Sequence, residues 1–100
     1  MTYESPDLLV HPGEILQTEF LEELNLSAYK LAQDISVPRT RISDIIAGKR
    51  AITADTALRL GRYFGTTAQF WMNLQADYDL RKAVIELGEK LEQEVHPRAA

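Results

Sequence analysis

The apolar positions of this chain fall into six groups at helical spacing. They are Ile15, Leu16, Phe20 and Leu24; Leu31, Ala32 and Ile35; Ile42, Ile45 and Ile46; Ala57, Leu60, Gly61 and Phe64; Phe70, Trp71 and Leu74; and Leu80, Val84, Leu87 and Leu91. Residues at i, i+3, i+4 and i+7 share one face of a helix, so each group predicts an amphipathic helix with its apolar face inward. The fold class expected is all-α, a bundle of five to six helices.

Capping residues punctuate the pattern. His11 is placed to cap the first helix, with Pro12 at its first position and Glu14 three residues after the cap, and Asn25 is placed to stop it in a left-handed conformation. Ser27 can accept a free N–H of the next opening turn, and Leu26 and Leu31 are spaced as a hydrophobic staple. Pro38 cannot extend that helix but suits the first turn of a new one over residues 38–47, closed by Gly48. Thr53 then caps a helix ended by Gly65, and Thr66 or Thr67 caps the one carrying Phe70 and Trp71, both assigned to the core. A last helix is expected over residues 79–95. Its seam of Leu80, Val84, Leu87 and Leu91 is narrow and needs a partner surface, on its own domain, a second copy or another protein, with the second copy preferred.

The helix over residues 38–47 departs from an ordinary surface helix. Ile42, Ile45 and Ile46 face the core, while Thr40, Asp44 and Ala47 lie opposite, flanked by Ser43, Arg39 and Arg41. A small, polar outer face with cations near its N-terminal end suits a DNA major groove. The formal charge of −4 argues otherwise until the chain is divided. Residues 36–65 hold six cations against two anions, whereas residues 1–35 hold one cation and seven anions. Phosphate contact follows local charge rather than the total, and the acidic flanks suit a basic protein partner.

These features resemble a known family. Ser27, Leu31-Ala32, Val37, Ile42-Ser43 and Gly48-Lys49-Arg50 are similar to the helix-turn-helix of lambda-repressor-like regulators. The wider string, His11-Pro12-Gly13-Glu14-Ile15-Leu16, Val37-Pro38, Ile52-Thr53-Ala54-Asp55-Thr56-Ala57 and Phe70-Trp71-Met72-Asn73-Leu74-Gln75, resembles HigA-type antitoxins over roughly residues 11–95. The resemblance implies a repressor of its own operon that neutralises a HigB-like toxin, a small basic ribonuclease acting on translated messenger RNA. It also implies a homodimer on an inverted-repeat operator, as twofold repressors require.

Within that reading, Arg39, Thr40 and Ser43 are expected at base edges, with Arg39 best suited to a guanine. Asp44 could accept from a cytosine amine, or pair with Arg41 or Lys49. Arg41, Lys49 and Arg50, helped by Ser27 and the start of its helix, are expected on phosphates. Many relatives carry Gly at the turn position of Ser36, where a positive φ is wanted. Serine adopts it at a cost on the order of 1 kcal/mol.

The remaining features limit the chemistry. There is no cysteine, and the two histidines, His11 and His96, stand at opposite ends, so no metal set, cofactor site or nucleophile–base arrangement is expected, and no enzyme activity. No apolar run is long enough to span a membrane and no leader is evident, which points to the cytoplasm. The layout expected is an N-terminal arm over residues 1–10, a DNA-binding domain over 11–78 and a C-terminal helix over 79–100 for a dimer or partner. Two other readings stay open: a repressor without a toxin, and a helical protein-binding module that no longer binds DNA.

Overall fold

The computed structural model describes residues 9–99, and among these every regular element is helical. In order they are α1 (Pro12–Ile15), running directly into a wider π-helical turn (Leu16–Leu21), then α2 (Ala28–Asp34), α3 (Arg39–Ile46), α4 (Ala54–Phe64), α5 (Ala68–Leu87) and α6 (Glu89–Glu94). The arm expected over residues 1–10 lies, as far as residue 8, outside the described residues.

His11 caps α1 through its ring: the Gly13 N–H donates to Nδ1 at 2.9 Å. The helix does not continue in α register to Leu24 as the periodicity predicts. Over Leu16–Leu21 the turns widen, and the Glu22 N–H reaches back five residues to the Gln17 carbonyl at 2.9 Å. The wider turn rotates the chain, so that Leu16 and Leu21 enter the core while Leu24 is left 59% exposed. Phe20 uses the same rotation to lie against Phe64 and Trp71, both with ring centroids at 4.9 Å. Asn25 ends the segment with φ 52°, as its placement predicts.

The helix-turn-helix follows. Ser27 Oγ accepts the Lys30 N–H at 3.0 Å, opening α2. The turn carries Ser36 at φ 59°, the left-handed conformation expected there. Pro38 sits one step earlier than expected, as an extended cap (ψ 143°) rather than as the first helical residue, so α3 begins at Arg39. Leu31, Ile42 and Ile45 are fully buried. Behind them α1 crosses α3 at a point where only glycine fits: a Cβ on Gly13 would stand 1.9 Å from the Ile45 carbonyl oxygen.

Ala57, Leu60 and Gly61 bring α4 into the core, and Gly65 closes it at φ 78°. Thr53 occupies the cap position of α4 but its side chain makes no capping bond. Thr67 caps α5 by accepting the Phe70 N–H at 3.0 Å, while the hydroxyl of Thr66 accepts the Trp71 indole N–H at 2.8 Å. Trp71 is fully buried, but Phe70, expected beside it in the core, is 37% exposed and leans its ring on Trp71 and Phe20 at the edge of the core.

The C-terminal part differs most from expectation. The helices predicted on either side of residue 79 are one, the 20-residue α5, and the division placed between residues 78 and 79 falls inside it. The break comes instead at Gly88 (φ 50°, ψ −133°). No glycine or proline stands near residue 79 to end a helix, whereas Gly88 can adopt a conformation closed to other residues.

Candidate nucleic-acid interface

The outer side of α3 is open. Arg39, Thr40, Ser43 and Ala47 are exposed, and Asp44 is half-buried. Arg39 is not adrift: its guanidinium lies over the Tyr29 ring of α2, 5.6 Å from the centroid. Stacking of this kind holds the charge at the start of the helix and leaves its N–H donors available. Ser43 turns its hydroxyl back to the Arg39 carbonyl (3.1 Å), keeping its lone pairs for another donor. The four residues predicted at base edges therefore share one face.

The residues predicted on phosphates divide. Lys49 and Arg50 follow Gly48 on an exposed loop. Lys49 makes no ion pair among the described residues, and Arg50 makes only a long one, 3.9 Å, to Asp44. This replaces the pairing of Asp44 with Arg41 or Lys49 considered from the sequence. Ser27 is exposed at the start of α2. Arg41 has a different employment. Its Nη1 donates to Asp55 Oδ1 at 2.8 Å, and that oxygen also accepts Arg59 Nε at 2.9 Å. Arg59 in turn donates through Nη1 to the Ile35 carbonyl at the end of α2, also at 2.9 Å. These bonds tie α2, α3 and α4 together around the turn. Arg59 first, and then Arg41, hold the Asp55 carboxyl below its ordinary value, so it stays charged under mild acid.

A second latch fixes the loop. Gln75 is 5% exposed and spans two elements: its Oε1 accepts the Ile52 N–H at 2.7 Å, and its Nε2 donates to Asp79 at 2.9 Å. The loop bearing Lys49 and Arg50 is thereby pinned to α5. Sequence reasoning gave no role to Asp55, Arg59 or Gln75. The Asp55–Arg59 pair could have been read from its i, i+4 spacing. Gln75 carried a fainter signal, a polar residue one turn beyond Trp71 on an otherwise apolar face.

Beside the bond from Arg59 to Ile35, Asp34 accepts the Tyr63 hydroxyl at 2.5 Å and pairs with Lys30 at 3.1 Å. The hydrogen bond from Tyr63, followed by that from Lys30, lowers the Asp34 carboxyl, and the same carboxylate raises the Tyr63 phenol. Among the described residues no group of three or more His, Cys, Asp and Glu is placed to hold a metal ion. None of their helices is long and apolar enough to cross a membrane.

Known proteins share both the pattern and the shape. A helix-turn-helix family model matches residues 18–71. Virulence-associated protein I of Dichelobacter nodosus is 54% identical over 74 residues, 74% of this chain and 68% of that protein. For two further curated relatives the match spans 64% and 61% of their length. Antitoxin HigA of Pseudomonas aeruginosa, solved with the higBA promoter, superposes with a TM-score of 0.88 at 47% identity, over 91% of this chain and 99% of that one. Antitoxin GraA in complex with its operator superposes with a TM-score of 0.90 at 36% identity, over 100% of this chain and 98% of that one. With its motif, core and turn matched over this much of its length, the chain belongs to the lambda-repressor-like helix-turn-helix family, in the branch that holds the HigA-type antitoxins.

Proposed function

We propose that this protein is an operator-binding repressor that lays α3 in the major groove, and that it acts as the antitoxin partner of a HigB-like toxin. The observation that carries the DNA reading is the exposed outer face of α3, where Arg39, Thr40, Ser43 and Asp44 stand together beyond a buried inner face of Ile42 and Ile45. Arg39 and its neighbours read base edges; Ser27, Lys49 and Arg50 grip phosphates on either side. Arg41 is reassigned to holding α3 against α4, since its guanidinium already serves Asp55. The operator is an inverted repeat and the protein binds it as a homodimer, one α3 to each half-site.

The antitoxin reading rests on the likeness to HigA and on charge. Glu19, Glu22 and Glu23 are exposed on the first helical segment, a surface that suits a small basic ribonuclease. A mobility-shift titration on the DNA upstream of its own gene, repeated on a random duplex across a salt series, tests the first part. Preferential binding with a steep negative salt slope is expected; equal, weak binding to both duplexes contradicts it. Co-expression with the adjacent reading frame tests the second. A small basic protein should co-purify and lose its ribonuclease activity in the complex. Operator binding with no such partner would leave a repressor acting alone.

A further inference from the structure

The face of α5 that meets the α3–α4 loop carries four residues at i, i+3, i+4 and i+7: Gln75, Tyr78, Asp79 and Lys82. Gln75 and Asp79 are accounted for by the loop latch. Tyr78 and Lys82 are not. Both line a cleft of about 180 Å³ together with His11, Gly48, Lys49, Arg50 and Ala51. Tyr78 meets the His11 ring edge-on at 4.9 Å, and the His11 ring faces Gly48, just past α3, where an added Cβ would stand 3.9 Å from it. The Lys82 ammonium stands over the Tyr78 ring, 6.0 Å from its centroid. Ring contacts thus run from the end of the recognition helix to a cation on α5.

We propose that Lys82 is a further phosphate-contacting residue, which closes with Lys49 and Arg50 on one backbone phosphate beyond the C-terminal end of α3. This rests on the DNA reading above and extends its footprint to α5, a helix to which the sequence gave only core and partner roles. Three cations line the cleft against one carboxylate, and that carboxylate, Asp79, already accepts a hydrogen bond from Gln75. The protein's own hold on Lys82 is slight: Glu86 stands 3.8 Å away, with both side chains about half exposed. Such a pair is worth little in water and gives way to a phosphate, which carries full charge and several acceptor oxygens. Tyr78 limits where the lysine can reach, so the ammonium waits near the loop rather than sweeping through solvent.

The test uses the full chain, a random 20-bp duplex and the fragment upstream of its own gene. A single phosphate contact contributes about 0.9 to the slope of log K against log salt. Lys82→Ala should weaken binding to both duplexes alike and lower the slope by roughly that amount. Its deficit relative to wild type should shrink about three- to fourfold between 50 and 200 mM salt. Lys82→Arg should restore the wild-type slope, which a merely structural contribution to α5 would not require. Wild-type binding with an unchanged slope in Lys82→Ala overturns the assignment and leaves the DNA reading standing. Failure of the wild type to bind either duplex overturns the DNA reading, and the assignment with it.

Discussion

The two halves of α5 carry the same kind of apolar periodicity and meet opposite fates. In its first half, Trp71 has no exposed surface, and the helix packs on α4 and α1. In its second half the pattern continues through Leu80, Val84 and Leu87, yet Leu80 is 68% exposed, Leu87 is 42% exposed and Val84 is only half-buried. The difference lies in what stands opposite. Upstream, α1 and α4 are within reach; downstream, the helix runs past them. Periodicity reports that one face of a helix is apolar, but not that its own chain covers that face. The first half serves the fold, and the second leaves Leu80 and Leu87 exposed.

The sharpest way to break the covered half is at its tightest point. Gly13→Ala would drive a methyl group into the Ile45 carbonyl, backbone against backbone, with no flexible side chain to yield. A cost of about 3 kcal/mol or more is expected, lowering the melting temperature by more than ~10 °C and weakening operator binding, because α1 sets the seat of α3. A thermal melt with circular dichroism checks this; an unchanged melting temperature would mean that the crossing is looser than described.

The uncovered half should break differently. Leu80→Asp places a charge at the most exposed position of the seam. If the homodimer proposed above meets through this seam, the variant should be monomeric by sedimentation velocity, with helix content as in the wild type. A variant that stays dimeric would move the twofold contact away from α5.

A pH series sharpens the contrast at the start of the fold. Burial, first of all, lowers the His11 imidazole below its ordinary 6.5, with Glu14 and Asp79 pulling upward and Lys82 downward. The unfolded chain therefore takes the proton more readily than the folded one. The stability linked to His11 is fully present above about pH 6.5 and is lost as the pH falls through the lowered folded value. A protonated Nδ1 could not accept the Gly13 N–H, so the cap would go with it. His11→Asn keeps a capping acceptor and does not titrate. Between pH 7 and 5 the melting temperature of the wild type should fall by a few degrees more than that of the variant.

The smallest effect is expected at the turn. Ser36 holds φ 59°, a conformation that glycine adopts freely, so Ser36→Gly should be neutral or raise stability by up to about 1 kcal/mol. A clear loss would show that the serine hydroxyl contributes something beyond backbone shape.

What was legible in the sequence was local chemistry. The caps at His11, Ser27 and Gly48, the left-handed positions at Asn25 and Ser36, and the inward isoleucines of α3 each follow from residues within a turn of one another. What was not legible depends on distant partners. The π-helical turn brings Phe20 onto Phe64 and Trp71, more than forty residues away. Arg41 looked like a phosphate ligand because its partner, Asp55, lies fourteen residues further along and meets it only once α3 and α4 have packed. The local excess of cations gave no sign that one of them is shared with Asp55 inside the fold. The break at Gly88 was a different kind of miss: the residue was in view, but the apolar steps ran smoothly across it.

One paired measurement decides whether α3 reads base edges while the loop behind it holds phosphates. Arg39→Ala and Lys49→Ala are titrated against the bound upstream fragment and a random duplex at several salt concentrations. Arg39→Ala should lose about 1–3 kcal/mol of preference for the specific fragment, and Lys49→Ala should weaken both duplexes equally with a slope lower by about 0.9. If both variants bind both duplexes as the wild type does, α3 is not the element that enters the groove.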